Sequence, residues 1–142
     1  MKKIIGYTAG VYDMFHIGHL NILKNAKSLC DYLIVGVSTD EVVIENKNKT
    51  PMIPFKDRMQ IVAAIKYVDK VIPQESYDIE GKIKTAVSEK IDVMFVGDDW
   101  KNTDKWNKIE YELNKIGVKV VYLKHTDGIS TTLLSEKILN KK

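Results

Sequence analysis

Two histidines three residues apart, His16 and His19, stand in the run Gly10-Val11-Tyr12-Asp13-Met14-Phe15-His16-Ile17-Gly18-His19, between an apolar strand-like segment and an amphipathic helical pattern. On one helical turn that spacing puts both imidazoles on the same face. Gly18 between them removes the side chain that would hold a phosphate away from the backbone. A helix start also supplies unpaired N–H groups and the positive end of a dipole. The arrangement predicts a nucleotide-handling turn with a triphosphate as its ligand, and Gly10, Val11, Tyr12, Asp13 and Gly18 belong to it.

Such a turn needs a scaffold, and the hydropathy pattern supplies one. Apolar runs at 3–9, 32–37, 70–72, 92–96 and 118–123 read as short buried strands. Between them, 18–29, 55–65, 79–89, 105–116 and 131–139 carry apolar residues at three-and-four spacing, as helices do. Continuous rather than alternating apolar strands, taken in turn with helices, predict an α/β fold. It is a Rossmann-like, doubly wound, five-stranded parallel sheet with helices on both faces. Ligands of such sheets sit at the carboxyl ends of the strands, where three unusual loops fall: 10–19, 97–100 and 125–132.

Composition bounds the function. A chain of 142 residues, 44% apolar and 29% charged, suits one domain over 1–142. A formal net charge of +3 fits an anionic small-molecule substrate and falls short of the broad basic surface of a nucleic-acid binder. The single cysteine, Cys30, cannot form an internal disulfide and agrees with a reducing compartment. With neither a signal-like run nor one of membrane-spanning length, the expectation is a cytoplasmic protein that engages no membrane. No G-x-G-x-x-G follows the first strand, which argues against a dinucleotide-binding oxidoreductase.

His16-Ile17-Gly18-His19 together with Ile129-Ser130-Thr131-Thr132 resembles the paired signatures of the small cytidylyltransferases, within the HxGH nucleotidyltransferases. Ser38-Thr39-Asp40-Glu41, Arg58, Tyr67-Val68-Asp69 before Val71-Ile72-Pro73, and Gly97-Asp98-Asp99-Trp100 lie in that family's order, so the resemblance runs almost end to end. Class I aminoacyl-tRNA synthetases share the first tetrapeptide, but a chain of this length leaves no room for tRNA-binding domains. The resemblance implies attack by an acceptor phosphate oxygen on the α-phosphorus of CTP, displacing pyrophosphate without a covalent intermediate. The implied acceptor is glycerol 3-phosphate. The CDP-glycerol formed would feed polyol-phosphate (teichoic acid) polymers of a bacterial envelope. A homodimer is implied too, as is Mg²⁺ held mostly by the phosphates rather than by a protein metal site. His16, His19 and Thr131 become the catalytic groups, the histidines donating to the α-phosphate and the departing pyrophosphate.

The same resemblance distributes the other roles. Ser130, Thr131 and Thr132 either cap a helix or turn donors toward the β- and γ-phosphates, with His125, Thr126, Gly128 and Ile129 beside them. The family usually has arginine where this chain has His125, whose imidazole is charged only part of the time near neutral pH. Asp98 or Asp99 either accepts a hydrogen bond from cytosine's amino group or forms an acidic turn and cap, and Trp100 stacks on the base or closes the loop. Asp13 orders its turn or helps hold Mg²⁺. An extended loop at Asn46-Lys47-Asn48-Lys49 would point Lys47 and Lys49 the same way, one to the acceptor phosphate and the other to the nucleotide. Arg58 sits near a helix start, where a cation opposes the dipole unless an anion is close; with Lys66 and Lys82 it completes the expected acceptor set. Three alternatives stay open. One is a phosphocholine or phosphoethanolamine acceptor, whose amine needs an aromatic or acidic partner such as Tyr12, Tyr77, Trp100 or Trp106. The others are an ATP-using adenylyltransferase of the same fold and a nucleotide-binding module without turnover.

Overall fold

The computed structural model describes residues 2–124. The helical pattern expected at 131–139 and the second signature lie outside them. Five parallel strands, β1 (Ile5–Gly10), β2 (Tyr32–Ser38), β3 (Lys70–Gln74), β4 (Val93–Gly97) and β5 (Lys119–Leu123), form one sheet in the order β3-β2-β1-β4-β5. The helices are α1 (Ile17–Ser28), α2 (Asp40–Lys47), α3 (Phe55–Ala63), α4 (Ile79–Ser88) and α5 (Asp104–Lys115), with a 3-10 turn at Asp98–Trp100.

Side chains alternate along each strand, so a strand covered on both faces buries every residue. Leu33, Val35 and Val37 of β2 pack with Phe95 against Leu23 and Ala26 of α1 and Val62 of α3. Ile34, Tyr7 and Met94 face the other way, onto Ala86 of α4 and Trp106, Ile109 and Leu113 of α5. This two-faced burial is why the strands read as unbroken apolar runs. Right-handed crossovers place the two helix layers: the sheet grows from β1 toward β3 through α1 and α3, then from β4 to β5 on the other side of β1 through α4 and α5. The chain reverses direction of growth at β1, so the carboxyl ends of β1 and β4 open a crevice at the switch point. Thr8 Oγ1 ties those two strands by donating to the Phe95 carbonyl at 3.0 Å.

One helix was not expected. Residues 40–47 form α2 because Thr39 Oγ1 accepts from Val42 N at 3.2 Å, Asp40 and Glu41 occupy the first turn, and Val42 and Val43 are buried. Asn48, at a φ of 52°, ends it in the left-handed region.

Candidate active site

Beyond β1 the backbone turns through Tyr12 and Met14, which hold positive φ values of 55° and 48°. Non-glycine residues keep such angles only where packing holds them. Tyr12 is buried, with its ring edge-on to His19 at 5.5 Å and tilted against Phe15 at 6.2 Å. The turn delivers His16 to the N-cap of α1. His16 Nδ1 accepts from Gly18 N at 3.0 Å, and His19 Nδ1 accepts from His16 N at 3.1 Å. This is a reciprocal capping box in which both members are imidazoles. The two rings stack with centroids 3.8 Å apart.

That hydrogen-bond pattern assigns the protons. A neutral imidazole carries one N–H, and with each Nδ1 accepting, the proton sits on each Nε2. Burial lowers the pKa of both rings. His19 drops to about 4, through burial first and the neighbouring His16 second, against an opposing pull from Asp13. At neutral pH the turn therefore offers two uncharged Nε2–H donors. His16 Nε2 is buried without a hydrogen-bond partner among the described residues, which marks a donor awaiting a ligand.

The turn rests on a buried polar frame. Asp13 takes Met52 N on Oδ2 at 2.8 Å and Ile53 N on Oδ1 at 2.9 Å, so it orders the loop before α3. Arg58 is 0% exposed. Its Nε donates to Ile53 O at 2.8 Å, Nη1 to Val11 O at 2.8 Å and Ser38 O at 2.7 Å, and Nη2 to Asp40 Oδ1 at 2.6 Å. One guanidinium thus fixes the end of β2, the start of the histidine turn and the loop before its own helix.

Alongside the turn lies a cavity of about 200 Å³. Gly10 and Val11 join it to the histidine segment, Tyr7 and Phe95 line its interior, and Trp100 and Trp106 are among its aromatic walls. Gly36 makes room for this interior, because a Cβ there would lie 2.1 Å from the Tyr7 hydroxyl. Ser38, Gln74 and Tyr77 supply polar contacts: Tyr77 donates to Ser38 Oγ at 2.9 Å, and Ser38 donates to Gln74 Oε1 at 2.9 Å. Three ammonium groups line the space, from Lys47, Lys82 and Lys105. Lys82 is 9% exposed, and its pKa falls to about 8 through burial first and the charge of Lys105 second, with Asp78 opposing. Burial and then Lys49 also lower Lys47. A phosphate dianion entering this space would meet three cationic side chains.

Of the expected set, Gly10, Val11, Lys47, Lys82 and Trp100 line the cavity. Tyr12 and Asp13 support the turn from behind, and Gly18 gives its N–H to His16. Asp98 and Asp99 lie on the 3-10 turn after β4, outside the cavity lining. His125, Thr126, Gly128, Ile129, Ser130, Thr131 and Thr132 lie outside the described residues. Three readings are corrected. Lys47 and Lys49 do not alternate along an extended loop: Lys47 closes α2, and Lys49 follows the left-handed Asn48 as an exposed residue outside the cavity lining. Arg58 is not free for an acceptor phosphate, since the anion that a cation near this helix start requires is Asp40. Lys66 is exposed after α3, 5.2 Å from the Tyr67 ring. That helix runs back against the strand direction, so its end lies by the start of β3, at the end of the strands opposite the cavity. Tyr7, Gln74 and Lys105 entered the site with no motif to announce them. Their signal was position alone: Gln74 ends β3, and Lys105 stands in the first turn of a helix that follows a strand's carboxyl end.

Among the described residues no group of three or more His, Cys, Asp or Glu side chains is placed to hold a metal ion, and no helix is long and apolar enough to cross a membrane. The family model described as Cytidylyltransferase-like matches residues 7–137. The chain is 40% identical over 138 residues to the glycerol-3-phosphate cytidylyltransferase of Bacillus subtilis (strain 168), covering 97% of this chain and 98% of that one. It is 36% identical over 142 residues to the enzyme of the same name from Staphylococcus aureus (strain NCTC 8325 / PS 47), covering 99% and 98%. Among solved structures, the lipopolysaccharide core biosynthesis protein from Thermoplasma volcanium GSS1 superposes with a TM-score of 0.69 at 28% identity, covering 88% of this chain and 98% of that one.

Proposed function

We infer that this chain, which belongs to the cytidylyltransferase-like family, transfers CMP from CTP to glycerol 3-phosphate, releasing pyrophosphate and forming CDP-glycerol. The observation that carries the chemistry is the pair of neutral imidazoles whose Nδ1 atoms accept from the backbone, which puts each proton on Nε2, that of His16 buried without a partner among the described residues. In this reaction a phosphate oxygen of the acceptor forms a bond to the α-phosphorus. The bond from that phosphorus to the bridging oxygen breaks, and pyrophosphate leaves with the electron pair. The nucleophile is already an oxyanion near pH 7, so no general base is required. Histidines that resist protonation suit the task left over: donating hydrogen bonds to charge that builds on the α-phosphate and the leaving group. Lys82 and Lys47 hold the acceptor phosphate at the cavity, and Gly10 and Val11 let the two substrates meet at the switch point.

Mg²⁺ enters this reading with CTP. An ion carried by a triphosphate takes most of its ligands from phosphate and water. Asp13 accepts backbone N–H groups from Met52 and Ile53 on its two oxygens, so its part is to order the turn beside the triphosphate, and phosphate and water would supply the ion's ligands. The ion supplies neutralisation of phosphate charge. The signature at 129–132 serves the β- and γ-phosphates, and the protein works as a homodimer in the cytoplasm, upstream of envelope polyol-phosphate polymers. The test is pyrophosphate release with Mg²⁺, crossing CTP and ATP against glycerol 3-phosphate, phosphocholine and phosphoethanolamine. Release with CTP and glycerol 3-phosphate, lost in His16→Ala, is expected; release only with ATP, or with no acceptor, overturns the reading.

A further inference from the structure

The cations and aromatic rings of the cavity are arranged in pairs. Lys82 of α4 holds its Nζ 5.4 Å from the centroid of Trp106, and Lys105 of α5 holds its Nζ 5.8 Å from that of Trp100. All four side chains line the cavity. An indole face is where a cationic headgroup would be received, and here each indole already carries an ammonium of the protein. Lys47 adds a third cation, and no aspartate or glutamate is among the lining residues within the described part of the chain. The carboxylate whose charge reaches Lys82, that of Asp78, caps α4 by accepting from Gly81 N at 2.7 Å and from Ser76 Oγ at 3.3 Å. Asp98 and Asp99 stand on the turn that carries Trp100, again outside the lining.

Resting on the acceptor reaction inferred above, we propose that Lys105 is a specificity-determining residue: paired with Lys82, it admits a phosphomonoester with an uncharged hydroxylated tail and turns away one whose tail carries an ammonium. Two effects act together. Like charges repel the incoming amine, and the indole faces that could have compensated are occupied. Discrimination of this kind comes from a built-in repulsion rather than from a better contact with the favoured substrate. At a separation on the order of 8 Å in a largely aqueous dielectric, one unit charge changes affinity roughly two-fold, and reversing its sign changes it about five-fold.

The test is calorimetric titration of glycerol 3-phosphate, phosphoethanolamine and phosphocholine into the wild-type protein, Lys105→Gln and Lys105→Glu, at low and at high salt, with kcat/KM measured in parallel. Glutamate in the first turn of α5 suits the helix dipole, so the variant keeps its fold, and glutamine provides a neutral check. The preference for glycerol 3-phosphate over phosphoethanolamine should fall about five-fold in Lys105→Glu and by an intermediate factor in Lys105→Gln. High salt should shrink the difference between the proteins, because screened charges discriminate less. A preference that is the same in all three proteins, or absent from the wild type, overturns the proposal. If no acceptor supports CTP turnover, the reaction inferred above falls, while the affinity ratios still decide the role of Lys105.

Discussion

Arg58 is the residue whose removal should reveal most about how the site is held. Substitution by methionine keeps much of the volume but leaves the carbonyls of Val11, Ser38 and Ile53 without this donor and takes the cation from Asp40. Breaking a buried ion pair costs about 3–5 kcal/mol. Here Asp40 is 33% exposed and regains water, so the lower half of that range applies, about 3–4 kcal/mol. With a urea slope of roughly 2 kcal/mol per molar, the unfolding midpoint should move down by about 1.5–2 M at unchanged slope. Arg58→Lys retains the charge but cannot reach three carbonyls and a carboxylate at once, and should lose about 2 kcal/mol. Asp40→Asn in the methionine background should cost less than it does alone, a coupling of about 1–3 kcal/mol in the double-mutant cycle. In kinetics, Arg58→Lys should lower kcat and weaken both substrates together, because the displaced carbonyls belong to the frame beneath them. The reasoning fails if Arg58→Met loses less than about 1 kcal/mol. It fails equally if Arg58→Lys raises only the acceptor KM at full stability, for that would return Arg58 to the acceptor phosphate.

Three further outcomes follow from the same geometry. His16→Asn keeps an N-cap acceptor and should cost under about 1 kcal/mol, yet lose on the order of 10²-fold in kcat, whereas a role confined to capping would leave kcat nearly intact. The His19 ring should titrate by NMR far below the ordinary histidine value, near its folded pKa of about 4. Its unfolded form takes up a proton around pH 6.5 that the folded form refuses, so its share of stability is complete above that pH. That share, about 2 kcal/mol after discount for partial exposure, is lost as the pH falls toward 4, and denaturant midpoints across this window check it. Lys82 is cationic below its pKa of about 8, so kcat/KM for the acceptor should fall as pH rises past 8. Lys82→Arg should abolish that basic limb; a limb that persists in the arginine variant would assign it to another group.

What the sequence discloses and what it hides divide along physical lines. The strands were legible because burial on both faces leaves a continuous apolar run, and the loops at their carboxyl ends were legible because a parallel sheet gathers its ligands there. Helix α2 was not. Its eight residues bury only Val42 and Val43, too little periodicity to stand out from a loop, and the orientation of Lys47 depends on that helix. For Arg58 the premise was sound, since a cation against a helix dipole needs an anion, but the anion is Asp40, on another helix and 18 residues earlier. Lys66 was misplaced for a topological reason, because direction along a helix that returns against the strands cannot be read from charge. Lys82 and Lys105 meet only because α4 and α5 cover the same face of the sheet, a consequence of the crossover after β3. The histidines show the opposite case. Their three-residue spacing puts two side chains on one helical face, and it is also the spacing of a capping box. Both readings hold at once, and the second explains the first: by giving each Nδ1 to the backbone, the cap fixes which nitrogen keeps the proton and leaves both Nε2–H groups to donate.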